Sequence, residues 1–163
     1  MTNMEEIKGK LLSAFKDDVV ELVSPSPRRI FIRINPKRFR DIFVFAVKDL
    51  GHDHLCTISG ADLGSELEVL YHLANAGNVL SIAVRLPKQG PEIETIGDII
   101  GGAYLYESEL KEMFGIRIKN ADHPKHLILT DNWPDGQFPL RKDWKKEMLP
   151  ESFTAGLRRK WSE

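Results

Sequence analysis

The sequence has one cysteine, Cys56, in 163 residues. A single thiol cannot form an intramolecular disulfide, and it excludes an all-cysteine zinc site or a self-contained iron–sulfur cluster. Net charge of either sign is lacking as well: 23 Lys and Arg stand against 24 Asp and Glu, leaving −1. Whole-protein attraction to nucleic acid or to an anionic membrane is thereby excluded, and only local patches remain. No apolar run approaches the roughly 20 residues that span a bilayer. Met1–Lys10 is too polar for a secretory signal. Internal repeats and low-complexity runs are absent too. What is there is a hydrophobic fraction of 42% on a chain long enough to bury a real core. The expectation is a soluble, cytoplasmic protein with one domain and an appended segment.

Periodicity supplies the elements. Thr2 and Glu5 have capping-box spacing ahead of a helix that places Met4, Ile7, Leu11, Leu12 and Phe15 on one face. A strand over 19–23 is expected to end in a turn at Ser24-Pro25-Ser26-Pro27, because two prolines remove two ladder donors. Arg29–Ile34 alternates Ile30, Ile32 and Ile34. Asn35-Pro36 starts a helix, a capping side chain followed by proline, and Phe39, Ile42, Phe43, Ala46, Val47 and Leu50 recur at steps of three and four up to Gly51. Strands follow at 54–60, 66–74 and 79–86, the last two joined by an Asn75–Asn78 hairpin turn. A helical region is expected over 95–114, weakened at Gly101-Gly102 and closed by Gly115. The order α-β-β-α-β-β-β-α predicts an α+β domain over 1–115, a small antiparallel or mixed sheet packed with helices.

Residues 116–163 differ from that domain. They hold four of the nine prolines and all three tryptophans, Trp133, Trp144 and Trp161. Their aromatic content argues against plain disorder. An extended C-terminal arm that buries Trp, Phe and Leu against a partner fits this composition, with a tail folded back on its own domain as the other arrangement.

Catalytic patterns are thin. No phosphate loop, dinucleotide fingerprint or Gly-x-Ser-x-Gly elbow occurs. His52 and His54, with His123 and His126, could supply a three-ligand metal site of the hydrolytic kind, although their spacing matches no standard motif. Cys56, in an apolar-flanked strand, reads as a small core residue rather than a nucleophile. Arg28 to Arg40 carries six cations and no carboxylate, open to RNA binding, to docking on an acidic protein, or to plain solvation. Glu92 to Glu112 carries six carboxylates against Lys111 alone. Glu109 and Glu112 share a helix face by spacing, which suits solvation or pairing with a partner's Arg.

Three ordered blocks then stand out. The first is Glu107-Ser-Glu-Leu-Lys-Glu-Met-Phe-Gly-Ile116, the second Asp122-His-Pro-Lys-His-Leu-Ile-Leu-Thr-Asp131, the third Pro139-Leu-Arg-Lys-Asp-Trp144. Together they resemble the signature of the 30 kDa subunit of NADH:quinone oxidoreductase (respiratory complex I). That family's pattern is Glu-Arg-Glu, two residues, Asp-Met-Phe-Gly, later His-Pro, then Ile-Leu-Thr-Asp, and finally Pro-Leu-Arg-Lys-Asp with an aromatic. Ser108 stands where the family has Arg, Lys111 where an aromatic is common, and Lys125-His126-Leu127 lacks an arginine pair. The Asn132-Trp133-Pro134 link is more similar to the homologous subunits of membrane-bound [NiFe] hydrogenases and formate hydrogenlyases.

The resemblance implies a non-catalytic subunit of a membrane-anchored redox complex, without a cofactor or nucleic-acid ligand of its own. It would bind the large catalytic subunit and a neighbouring iron–sulfur subunit, reaching the membrane only through the complex. Partner contacts implied by the first block are Glu107, Glu109, Glu112 and Phe114. Those of the second are His123, Pro124 and Asp131, with Trp133 in the link. Those of the third are Pro139, Leu140, Arg141, Lys142, Asp143 and Trp144. The competing arrangement is that Arg141–Asp143 ties the tail to its own domain.

Overall fold

The computed structural model describes residues 4–151 and residue 153; Thr2 and Trp161 lie outside them. Its centre is a five-stranded mixed sheet. Strands β1 (Val19–Ser26) and β2 (Arg29–Ile34) form an antiparallel hairpin at one edge. At the other lie β3 (His54–Asp62), β4 (Glu66–Asn75) and β5 (Asn78–Pro87), consecutive antiparallel neighbours. The two halves join where β2 runs parallel to β5, giving the order β1-β2-β5-β4-β3. Ala76 and Gly77, with φ of 46° and 83°, make the two-residue turn whose twist suits the β4–β5 hairpin.

Alternation decides which face is covered. Ile30, Ile32 and Ile34 align with Leu80, Ile82 and Val84, which align in turn with Leu73, Tyr71 and Val69. All are buried on one face, against α1 (Met4–Phe15) and α2 (Phe39–Lys48). Phe39 and Phe43 of α2 meet the Tyr71 ring at 4.6 and 5.7 Å. Helix α3 (Ala103–Phe114) lies on the same face against β3, where Gly60 makes the approach possible: a Cβ there would come within 2.5 Å of Phe114. The opposite face is polar. On it Glu68 accepts from Arg33 Nε at 3.0 Å and from Arg85 Nε at 3.3 Å.

Several expectations are corrected. β1 continues through Pro25 to Ser26, because it is an edge strand whose pairing is already irregular between Val23 and Ser26. Asn35 caps as expected, accepting from Lys37 N–H at 3.1 Å, but Pro36–Arg38 is a 3-10 turn before α2 begins. The helix expected over 95–114 starts only at Ala103. Ahead of it, residues 95–102 form turns held by hydrogen bonds of Ile99 and Ile100 to Ile96 O, both 2.9 Å. A short parallel pair, β6 (Glu92–Glu94) with β7 (Arg117–Lys119), adds to the expected elements; its strands are too brief to show a period. Residues 117–119, expected in the arm, thus form a strand, and Ile116 and Ile118 join the core. Cys56 is exposed rather than buried, because a register shift between Leu55 and Thr57 turns it outward from edge strand β3. Leu12 is exposed beside the buried stripe of Met4, Ile7 and Leu11.

Candidate functional site

The three signature blocks converge around α3, and the buried acids of that helix hold backbone. Glu107 Oε1 accepts from Ile96 N–H and Oε2 from the Thr95 hydroxyl, both at 2.7 Å. This explains why 95–102 turns instead of continuing α3 upstream. His123 Nε2 lies 3.3 Å from the same carboxylate, and its ring stacks on Tyr104 with centroids 4.7 Å apart. Ser108 donates to Tyr104 O at 2.8 Å and its oxygen lies 2.8 Å from His123 Nδ1. Lys111 donates to the carbonyls of His123 and Pro124 at 2.8 and 3.1 Å. Ser108 and Lys111, both departures from the family pattern, therefore bind the His123-Pro124 turn.

One helical turn on, Glu112 accepts from three successive amides. Leu127 N–H is 2.5 Å away, Ile128 N–H 2.8 Å and Leu129 N–H 3.4 Å, with His126 Nδ1 at 3.3 Å. The solvated helix face suggested by the Glu109/Glu112 spacing is corrected here, since Glu107 and Glu112 are buried and Glu109 is half-buried. The clamp turns Leu129 toward the core and leaves Leu127 and Ile128 on the surface.

The third block is anchored by a residue that sequence reading misses, Asp62 at the end of β3. Its carboxylate accepts from Gly64 N–H at 2.7 Å, Lys142 N–H at 2.9 Å and Lys88 Nζ at 2.9 Å. Burial pushes this carboxyl up, but Lys88 and the two amides outweigh it and hold the group at about 2. Lys88 also reaches Asp143 at 3.3 Å. Arg141 Nε donates to Phe114 O at 2.8 Å while its guanidinium lies 4.7 Å from the Phe138 ring centre. Gly115, at φ 66°, is where Phe138 packs so closely that a Cβ would enter the ring. Asp62-Leu63-Gly64 shows a turn in sequence, the Asp accepting two residues on. Nothing local reveals its bonds to Lys88 and Lys142.

The remaining candidates sit further along the arm. Trp133 and Trp144 are 6.0 Å apart, and their indole N–H groups both donate to Gln137, to its backbone O and to Oε1, at 2.9 Å. Asp131 is exposed, Pro124 and Pro139 are half-buried, and Leu140 is 52% exposed. The described part of the arm thus lies back on its own domain.

The metal and RNA alternatives find less. Among the described residues no three His, Cys, Asp or Glu side chains converge as a metal-binding group. His52 is buried with Nδ1 3.2 Å from Leu50 O, and burial holds its imidazole below the usual value. The basic stretch is partly neutralised: Arg33 pairs with Glu21 and Glu68, Arg38 with Asp18 and Asp41, and Arg40 with Asp98. Among the described residues no helix is long and apolar enough to cross a membrane.

Fold and site define an α+β domain in which the buried acids Glu112 and Asp62 grip the backbone of the chain's own C-terminal segment, with Leu127 and Ile128 left outward. Residues 32–148 match the family of the respiratory-chain NADH dehydrogenase 30 Kd subunit, and the chain belongs to it. It is 35% identical over 148 residues to a subunit of the F(420)H(2) dehydrogenase of Methanosarcina mazei, spanning 88% of this chain and 90% of that one. It is 28% identical over 153 residues to the beta subunit of the membrane-bound hydrogenase of Pyrococcus furiosus, 89% and 88% of the two chains. A chain in the structure of the membrane-bound sulfane sulfur reductase, an archaeal respiratory membrane complex, has the same fold. It superposes with a TM-score of 0.77 and 24% identity over 98% of this chain and 92% of that one.

Proposed function

We propose that the chain is a non-catalytic subunit of a membrane-anchored, complex-I-like redox complex, in which it binds and stabilises the large catalytic subunit of the peripheral arm. In this reading it sits beside an iron–sulfur subunit on the cytoplasmic face and meets the membrane only through its partners. Relatives named as subunits of an F(420)H(2) dehydrogenase and a membrane-bound hydrogenase support an assembly of that kind. In this reading the partner-binding arm begins after Lys119, since Ile116 and β7 belong to the domain.

The observation that carries the reading is Leu140. Its amide donates to Met113 O at 3.2 Å, and the next residues are pinned through Arg141 to Phe114 O and through Lys142 to Asp62. A leucine held rigidly and left 52% exposed is preorganised to enter a partner's groove. Arg141 and Asp143 beside it are tied to Phe114 O and Lys88, and half-buried Trp133, Pro139 and Trp144 lie further along the same segment. The test is recovery of the complex through a tagged copy of this chain. Leu140→Ala combined with Trp144→Ala should weaken association by about 2–4 kcal/mol, in the range of interface hot spots. Leu140→Asp alone, at an exposed position, should do so without changing the thermal midpoint of the free chain. Recovery of the large subunit at wild-type yield with both variants overturns the arm assignment.

A further inference from the structure

We infer that the groove between α3 and the turn at residues 127–129 is a second docking site, for a partner-subunit segment carrying an Arg or Lys between apolar side chains, with the cation pairing to Glu109. The inference rests on the assembly role proposed for the chain and says where, and with what chemistry, the partner binds. The groove has a volume of about 610 Å³ and is walled by Leu55, Ile100, Leu105, Tyr106, Leu127 and Ile128. Leu105 is 58% exposed, Ile128 55% and Leu127 45%, so three large aliphatic side chains stand together in water. Exposed aliphatics gathered around a concavity, unlike scattered single ones, mark an interaction surface.

This surface is built. Glu112 spends its buried carboxylate on the amides of 127–129, which fixes the turn with Leu127 and Ile128 outward. The Tyr106 hydroxyl donates to Cys56 O at 3.3 Å and holds the opposite wall. The charge in the groove selects the partner. Of the six carboxylates between 92 and 112, Glu92 pairs with Arg117 and Lys119, Asp98 pairs with Arg40, Glu107 and Glu112 hold backbone, and Glu94 on β6 does not line the groove. Glu109 lines the groove and has no cation among the described residues. A carboxylate against apolar walls loses part of its hydration once a partner covers it, and a matching cation then restores the balance. An apolar segment alone would bury that charge unpaired, so the occupant must bring its own positive group.

The experiment places the photo-crosslinking residue p-benzoylphenylalanine at Leu105 or Ile128 of the tagged full-length chain, in cells that make the complex. The same residue at Arg85, on the polar sheet face, is the control. We expect the 105 and 128 probes to label another subunit at one segment with an Arg or Lys among apolar residues. Glu109→Lys should cut recovery of that subunit by about tenfold or more, and Glu in place of the mapped cation should restore it. An adduct with a second copy of this chain, no adduct, or wild-type recovery with Glu109→Lys overturns the inference. If Leu140→Asp abolishes recovery while Glu109→Lys does not, the assembly role stands and the groove falls. If the unmodified tagged chain brings down no other subunit, both fall.

Discussion

Two regions of this molecule are held together by different physics. The sheet with α1 and α2 is an apolar core in which Ile30, Ile32 and Ile34 face Leu80, Ile82 and Val84 across a parallel junction. Around α3 and the arm, the ties are polar: Glu107, Glu112 and Asp62 each hold backbone amides of a segment without regular structure. A sheet satisfies its own backbone by pairing strands, whereas an irregular arm must find acceptors elsewhere. Buried carboxylates supply them, at the cost of desolvating the charge. The arm's order thus depends on individual polar ties, above all those of Glu112 to residues 127–129 and of Asp62 to Lys142.

Breaking the apolar side should have the largest effect. Phe43 is fully buried and its ring lies 5.7 Å from that of Tyr71 and 5.9 Å from that of Phe39. Phe43→Ala should cost about 3–5 kcal/mol, as for large aromatic truncations in cores. Denaturant unfolding should show the loss globally, with sheet and arm probes moving together.

Glu112→Ala should cost less, about 2–3 kcal/mol, because it leaves three amides without their acceptor. The comparison becomes sharp in where the loss appears. Hydrogen exchange at the amides of Leu127, Ile128 and Leu129 should accelerate, while amides of 69–73 in β4 and 80–84 in β5 keep their protection. Equal acceleration in the sheet would show that apolar body and polar arm are one cooperative unit.

The same contrast explains which parts can be read from the chain. β2, α2 and the β4–β5 hairpin follow from periods of two and of about 3.6, because apolar burial writes itself into spacing. Three-residue strands such as β6 and β7 carry no period, and Cys56 is misplaced because a register shift is invisible in a run of apolar neighbours. In the site, the blocks from Glu107 to Trp144 are legible as a family pattern, but the roles of Glu107 and Glu112 are not. The Glu109/Glu112 spacing suits a solvated helix face, whereas the 95–96 turn covers Glu107 and the arm covers Glu112. Asp62 escapes notice because its partners, Lys88 and Lys142, are far away in sequence. A side chain that binds a distant amide leaves no mark beyond its own identity.

The smallest expected effect concerns Asp62 and is read by pH. Its carboxyl is held at about 2, below the ordinary 3.8, by Lys88 and by the amides of Lys142 and Gly64, which outweigh its burial. A depressed carboxyl contributes its stabilisation fully above the unfolded value and loses it as pH falls through the folded one. The anchor of the 138–143 segment should thus hold above about pH 4 and weaken progressively toward pH 2, with at most about 2.5 kcal/mol at stake. Fluorescence of Trp144, two residues beyond the Lys142 contact, should report that release before the sheet unfolds. Asp62→Asn should remove this step and leave the segment loosened at neutral pH, since a neutral amide cannot hold the Lys88 ammonium as the carboxylate does. A Trp144 signal that keeps its wild-type pH profile in Asp62→Asn would show that the segment is anchored by its other ties, such as Arg141 to Phe114 O.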